Sequence, residues 1–303
     1  MQLDPRFDGQ VTRIAGEQAA ALVESGATVL DVRTPDEFTA LGHITGARLL
    51  PVHLSASAPA VIDDMDQPLL VCCEHAVRSR FTSRLLAQAG FSAVYELEEG
   101  MAGWRGPRAF DQAPLSGPAP WLVDNVDLLP ASGRVLDVAC GRGRHALLLA
   151  AAGFAVTAVD RDAGALGRLR QQAVRLELDV RVEEMDLEAP GVDLGAGRFD
   201  LIVVTRYLHR PIFPQLVNAL APGGALVYET FLISQAERGH PTNPEFLLQP
   251  GELPSLLRPL EILRSREGDF DGAMVASVVA RASVGRRAAS ALSPEQIVDL
   301  PVA

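Results

Sequence analysis

The chain has 303 residues, of which 48% are hydrophobic, 21% charged and 5% aromatic; this is the composition of a globular protein, long enough for two domains at roughly 100 to 200 residues each. All 27 cationic side chains are arginine, and the lack of lysine excludes a Walker A lysine, a pyridoxal Schiff base and any other lysine nucleophile. A formal net charge of −11 opposes binding to nucleic acid or anionic membranes, so small-molecule ligands are expected, with arginines available locally for a small anion.

The first ten residues, MQLDPRFDGQ, lack the basic, apolar and small-residue succession of a signal peptide. The apolar run at 146–159 contains Gly153 and Thr157 and is too short to cross a bilayer. A cytoplasmic location is expected. Three cysteines, Cys72, Cys73 and Cys140, are an odd number with two adjacent, which fits free thiols better than a disulfide framework. Val/Leu runs at 28–32 and 69–72 alternate with helical periodicity at 17–24 and 79–89, predicting an α/β domain over residues 1–108. Prolines and glycines between 106 and 120 break both periodicities, and a Pro-rich linker or spacer is placed at 109–120. Runs at 134–138, 155–159, 201–205 and 225–229, separated by helical segments, predict a second α/β domain over 121–282 with a mostly parallel sheet and right-handed crossovers. The runs at 261–264 and 274–280, joined through GDFDG, read as a terminal antiparallel hairpin, and 283–303 as a C-terminal tail.

In the first half the chemistry gathers at Cys72-Cys73-Glu74-His75-Ala76-Val77-Arg78-Ser79, between a predicted strand and a helix. A loop curling there aims backbone amides and the helix dipole at one point, which stabilises an anion such as a thiolate or persulfide. Cys73 followed by four residues, Arg78 and Ser79 resembles the active-site loop of the rhodanese family. Leu30-Asp31-Val32-Arg33 with Glu37-Phe38, then Gly42-His43-Ile44-Thr45-Gly46-Ala47, and finally Glu99-Gly100-Met101-Ala102-Gly103-Trp104 resemble its other motifs, so the likeness spans residues 8 to 108. It implies a rhodanese-like α/β fold in which Cys73 accepts a sulfane sulfur and passes it on, with Arg78 and the loop amides holding the anion and Cys72 a strand residue. Phosphatases on a related scaffold have one more residue in the loop, so the resemblance implies sulfur rather than phosphate or arsenate chemistry. Glu74 and His75 depart from the basic or small residues frequent there, and Ala76 from a common glycine. A Glu74 carboxylate facing the donor would oppose thiosulfate and favour a persulfide donor. His75 has the strongest functional case among six histidines, and neither it nor His43 and His53 has metal-ligand spacing, so no metal is expected. The alternative for Cys73 is a buried inert thiol in a domain kept for binding.

In the second half, Leu136-Asp137-Val138-Ala139-Cys140-Gly141-Arg142-Gly143-Arg144-His145-Ala146 is an apolar strand, a glycine turn and a helix start. Taken alone, the glycines also fit the dinucleotide pattern G-x-G-x-x-A. Asp137 would oppose a pyrophosphate but suits a ligand bearing an amino group and a sulfonium. Asp160 follows Gly143 by seventeen positions, within reach of ribose hydroxyls, and Asp186 supplies a third acid. These motifs resemble the class I methyltransferases over residues 121 to 282, especially the small-molecule type that includes tellurite-resistance and thiopurine or thiol methyltransferases. The resemblance implies a Rossmann-like fold and S-adenosyl-L-methionine as cofactor. Asp137, Ala139, Gly141 and Gly143 would hold the methionine moiety, Asp160 the ribose, and Asp186 with the Leu187 backbone the adenine; Cys140, Arg161 and Thr205 complete the expected set.

After the fourth strand, Arg206-Tyr207-Leu208-His209-Arg210-Pro211 concentrates two cations, a phenol and an imidazole. Arg206, Tyr207, His209 and Arg210 are candidates for an anion-accepting or proton-removing substrate pocket; the alternative is a solvated helix start. Tyr228, Glu229 and the stretch 239–246 are candidates for its opposite wall or lid. Neither an Asn/Asp-Pro-Pro-aromatic motif nor a basic domain points to a nucleic-acid substrate. The expectation is an enzyme that methylates a small molecule, with sulfide, a thiol or another chalcogen as candidate acceptors, fused to a domain that takes sulfur from a sulfane donor onto Cys73. The alternative is a noncatalytic rhodanese-like sensing or docking module regulating methylation of a substrate without sulfur.

Overall fold

The structure, a computed structural model, describes residues 3–112 and 115–284. The tail expected at 283–303 lies, from 285 onward, outside the described residues.

The first half runs β1 (Val11–Ile14), α1 (Gly16–Glu24), β2 (Thr28–Asp31), α2 (Pro35–Ala40), β3 (His43–Ile44), β4 (Arg48–Leu49), a 3-10 turn (Val52–Ser57), α3 (Ala58–Val61), β5 (Leu69–Cys72), α4 (Val77–Ala89), β6 (Val94–Leu97) and β7 (Arg108–Ala109). One parallel sheet has the order β1-β6-β5-β2-β4, and β3 pairs separately with β7 in an antiparallel ribbon. β5 is buried along its whole length, which is why its sequence is an unbroken apolar run rather than an alternation. α2 starts at a capping box: the Thr34 hydroxyl accepts the Glu37 amide, and the Glu37 carboxylate accepts the Thr34 amide.

The second half runs α5 (Pro120–Val123), β8 (Arg134–Val138), α6 (Arg144–Ala151), β9 (Ala155–Asp160), α7 (Ala163–Arg175), β10 (Val180–Glu184), β11 (Phe199–Thr205), α8 (Phe213–Ala219), β12 (Leu220–Phe231), α9 (Glu252–Leu256), β13 (Glu261–Phe270) and β14 (Ala273–Arg281). Its sheet has the order β10-β9-β8-β11-β12-β14-β13, parallel from β10 to β12 and closed by the antiparallel β13–β14 hairpin. The chain leaves β8 toward β9 and β10 on one side and later adds β11 on the other. This reversal leaves a crevice beyond the carboxyl ends of β8 and β11, where open α/β sheets bind ligands. No helix among the described residues is long and apolar enough to cross a membrane.

The two halves share apolar packing. One buried cluster contains Leu54, Ala58 and Phe91 from the first half together with Leu176 from the second, with Leu148 packed against it. The described part of the linker touches both halves: the Ser116 amide donates to the Leu49 carbonyl at 2.8 Å, and the Ala119 amide to His145 Nε2 at 3.1 Å. Residues 115–120 are thus held to both halves.

Candidate functional site

Cys73 sits one residue past β5, almost completely buried. On the first turn of α4, the Ser79 amide donates to its sulfur at 3.2 Å, and the Ser79 hydroxyl lies 3.4 Å away. That hydroxyl is also 3.4 Å from Oε1 of Glu96, a buried carboxyl on β6 whose pKa burial raises. Ala76, just before α4, has φ +56°, so the loop turns on a left-handed residue that is not glycine. Opposite, Gly100 has φ +63°, and a Cβ there would come within 2.4 Å of the Glu74 carbonyl and 2.5 Å of that of Cys73. Glycine therefore lets this segment lie against the loop, where the Met101 amide donates to the Cys73 carbonyl at 2.8 Å.

Charged side chains brace the loop. The buried Arg33 donates to Asp31 through Nε at 3.0 Å and Nη2 at 2.7 Å, to the Gly42 carbonyl at 2.9 Å, and to Glu74 Oε2 at 2.8 Å. Glu74 is thus not the free carboxylate the sequence suggested, and its opposition to an anionic donor is offset by Arg33. Arg78 forks onto Glu37 at 2.6 and 2.5 Å, with Cys73 a lesser partner of its charge. Those bonds hold the Glu37 carboxyl down at about 2. His75 is exposed at the mouth of the loop, whereas His43 is buried and stacked on Phe38.

In the second half, the turn from β8 to α6 uses positive φ at Ala139 (+52°), Gly141 (+54°) and Gly143 (+78°). The Gly141 amide donates to Asp160 Oδ2 at 2.7 Å, and the other Asp160 oxygen accepts the Asp162 amide at 2.9 Å. Nothing lies within 4 Å of where a Gly141 Cβ would stand, so the loop backbone faces open space. Gly143 differs: a Cβ there would meet the buried Leu169 at 2.4 Å. Its role is steric, behind the loop, and it does not face the ligand space expected of it. Asp137 is buried, accepts the Ala146 amide at 3.0 Å, and has its pKa pushed up to about 7 by that burial. It braces the turn from within and lines neither cavity described next. The adjacent His145 is buried, its pKa lowered by burial; with Nε2 accepting the Ala119 amide, its Nδ1 bears the hydrogen, 3.9 Å from Asp137.

Two cavities open beyond these strand ends. One, of about 300 Å³, is lined by Ala139, Asp160, Arg161, Asp186, Leu187 and Tyr207, together with Phe231, Pro241 and Phe246. The other, of about 340 Å³, is lined by Cys140, Gly141, Arg144 and Thr205, and on the side of the first half by Ala60 and Val61. They meet at Ala139 and Arg206. Most expected cofactor residues, together with Arg206 and Tyr207, are therefore gathered here. The Tyr207 hydroxyl is buried without a hydrogen-bond partner among the described residues, and burial raises its pKa. Its backbone carbonyl accepts the Tyr228 hydroxyl at 2.8 Å.

Arg210 cannot serve as the expected substrate cation. Its guanidinium is committed to Glu252 at 2.6 and 3.0 Å and to the carbonyls of Glu245 and Leu247, an arrangement that ties the segment after β11 to α9. His209 lines neither cavity. Glu229 is taken up by Ser277 at 2.6 Å and Arg266 at 3.1 Å. From the stretch proposed as a lid, Pro241 and Phe246 do reach the first cavity. Sequence reasoning missed Arg144, a mostly buried cation with no ion pair among the described residues. Its position beside the second glycine was the available signal. Arg33 and Glu96 were also missed as neighbours of the cysteine loop, because only folding brings the segment after β2 and the strand β6 to it.

Residues 15–107 match the rhodanese-like domain family and residues 135–224 a methyltransferase domain family. The thiosulfate sulfurtransferase GlpE of Pseudomonas aeruginosa strain LESB58 is 45% identical over 93 residues, which are 31% of this chain and 83% of that protein. GlpE of Stutzerimonas stutzeri strain A1501 is 43% identical over 95 residues, 31% of this chain and 84% of its own. Among solved structures, an S-adenosylmethionine-dependent methyltransferase from Mesorhizobium loti aligns with TM-score 0.46 and 20% identity, covering 54% of this chain and 98% of that one. TehB from Haemophilus influenzae aligns with TM-score 0.45 and 21% identity, covering 54% and 62%.

Proposed function

Because this chain belongs to the rhodanese family through residues 15–107 and carries a methyltransferase domain at residues 135–224, we propose that it methylates a small molecule with S-adenosylmethionine and carries sulfur on Cys73. The observation that supports the methyl-transfer half is the joined pair of cavities, which brings Asp160, Asp186, Arg206 and Tyr207 from the ends of different strands to one space. The residues fit the cofactor: an open face at Gly141, carboxylates for a cationic ligand, and a buried Tyr207 hydroxyl lacking a partner. When bound, S-adenosylmethionine supplies a methyl group on a sulfonium, open to in-line displacement.

The chain's own contribution is binding, alignment and exclusion of water. Asp160 holds the Gly141 amide and keeps lone pairs for ribose hydroxyls; Asp186, with one oxygen accepting the Glu188 amide, and the Leu187 backbone stand where an adenine edge would lie. Arg206, with Arg144 beyond it, makes the junction of the cavities favourable for an anionic acceptor such as a thiolate or hydrosulfide. Tyr207, its pKa raised by burial, stays a phenol at neutral pH and acts as a hydrogen-bond donor rather than a base. Pro241 and Phe246 add apolar surface to the first cavity.

In the first half, the Cys73 thiolate attacks the outer sulfur of a sulfane donor, the donor's remaining fragment leaves, and a second nucleophile then takes the sulfur and returns the thiolate. The Ser79 amide and hydroxyl steady the negative sulfur in each state. With Glu74 paired to Arg33, thiosulfate, which the GlpE relatives are named for, becomes an admissible donor beside persulfides. Neither cavity of the methyl-transfer site is lined by residues of the Cys73 loop, so sulfur reaching that site would travel as a released small species.

A second reading, in which the first half serves the methyltransferase as a docking module, is favoured by Ala60 and Val61 standing in the wall of the second cavity. The Cys73→Ser variant separates the two. Given S-adenosylmethionine and a sulfane donor, loss of methylated sulfur product, with methylation of an added thiol retained, supports sulfur carriage; unchanged product supports the module.

A further inference from the structure

The glycine loop expected to hold the cofactor's methionine end is not completed by the methyltransferase half alone. Arg142, between its two glycines, turns its guanidinium toward the first half, where Nη1 meets Asp63 Oδ1 at 2.5 Å. One helix further on, Arg168 of α7 donates to the Asp63 carbonyl at 2.6 Å and to the Ile62 carbonyl at 3.1 Å. Gln172, one turn along α7 and buried, donates to the Pro59 carbonyl at 3.0 Å. Thus α3 and the two residues after it are held by three side chains of the second half. The last two residues of α3, Ala60 and Val61, face the cavity beside Cys140, Gly141 and Thr205, and Ala60 also belongs to the buried cluster under β8 and α6.

Three consequences follow from this arrangement. Arg142, which itself lines this cavity, is fixed to Asp63, and with it one side of the glycine loop. The carbonyls at the end of α3 gain donors that a helix of four residues cannot supply for itself. Two apolar side chains of the first half, Ala60 and Val61, line the ligand space.

We infer that the segment Pro59–Asp63 of the rhodanese-like half is a working part of the methyltransferase's cofactor site, in which Asp63 positions the glycine loop through Arg142 and Val61 forms a wall of the methionine end. The inference rests on the reading that the second half binds S-adenosylmethionine. It gives the fusion a physical basis independent of sulfur transfer: the first half sets the affinity of the second for its cofactor. Linkage makes the effect reciprocal, so the cofactor must steady the segment that helps to hold it.

The test uses the full chain and measures S-adenosylmethionine binding by equilibrium dialysis, alongside amide hydrogen exchange of peptides covering residues 58–63. Asp63 is exposed, so Asp63→Ala should raise Kd only about three- to fivefold, the scale of an exposed ion pair. Val61→Trp, which fills the cavity, should raise it about tenfold or more. In the unaltered chain, cofactor should slow exchange at 58–63. Cyanide-acceptor sulfurtransferase turnover should remain in both variants, because neither position touches the Cys73 loop, and its retention together with an unaltered urea-unfolding transition shows that both halves fold. Unaltered protein that binds no S-adenosylmethionine refutes the cofactor reading itself. Unaltered protein that binds it, with both variants equal to it and no protection at 58–63, overturns the role of this segment alone.

Discussion

The Gly141 amide donates to Asp160 Oδ2 at 2.7 Å, so the loop leaving β8 is pinned to the end of β9. One carboxylate thereby shapes the glycine loop and lines the first cavity. Asp160→Ala should raise the Kd for S-adenosylmethionine at least about tenfold and lower stability by about 1–3 kcal/mol, since amides lose a charged acceptor. Dialysis and urea unfolding measure both quantities. Unchanged cofactor affinity in a folded variant would show that this carboxylate does not serve the ligand.

The two glycines of the loop should respond differently to alanine. At Gly141 there is room for a Cβ, and the penalty is about 1 kcal/mol for a left-handed alanine. Gly143→Ala adds a clash with Leu169 and should cost about 2–4 kcal/mol in all. Cofactor binding should be lost in Gly141→Ala at nearly normal stability. If Gly143→Ala proves as stable as Gly141→Ala, the steric account of Gly143 is wrong.

The Arg78–Glu37 pair carries a pH signature. Bonding to Arg78 depresses the Glu37 carboxyl from 4.5 in the unfolded chain to about 2 in the folded one. A depressed acid stabilises the fold above the unfolded pKa, and that contribution disappears as pH falls from about 4.5 toward 2. With both side chains about 30% exposed, screening reduces it to about 1 kcal/mol. Unfolding curves at pH 6 and pH 3 should show the larger part of this difference, and Glu37→Gln should remove it. A Glu37→Gln variant with the same acid sensitivity as the parent contradicts the assignment.

Ala76 and Ala139 both hold left-handed backbone at turns that glycine would satisfy without steric cost. Ala76→Gly and Ala139→Gly should each raise stability by about 0.5–1 kcal/mol, the relief of strain exceeding the added flexibility of the unfolded chain. Thermal unfolding checks this; a lowered Tm in both variants would show that neither alanine is strained.

Much of this architecture was legible because its signals are local. The buried strand β5 and the centre of β11 appear as continuous apolar runs, and the glycine pattern follows β8 directly. The sequence placed Asp160, Asp186, Arg206 and Tyr207 near strand ends, and in a parallel sheet those ends share one edge. Charge pairing was not legible. Glu74 and Arg210 looked free because Arg33 is 41 positions and Glu252 42 positions away, distances that only the fold closes. The contribution of Ala60 and Val61 to the second cavity was hidden for the same reason: short apolar residues in a four-residue helix carry no chemical signature. Nor did the prolines of the linker signal the bonds by which Ser116 and Ala119 are held to Leu49 and His145.

The most direct test of the central proposal is release of S-adenosylhomocysteine by the purified full chain given S-adenosylmethionine with sulfide, with a panel of small thiols, or with no acceptor. The account predicts acceptor-dependent release, strongest with species that are anionic at the assay pH and diminished by Arg206→Ala. No release above the acceptor-free rate with any sulfide or thiol, by protein shown to bind the cofactor, would contradict a sulfur acceptor and turn the search to other nucleophiles.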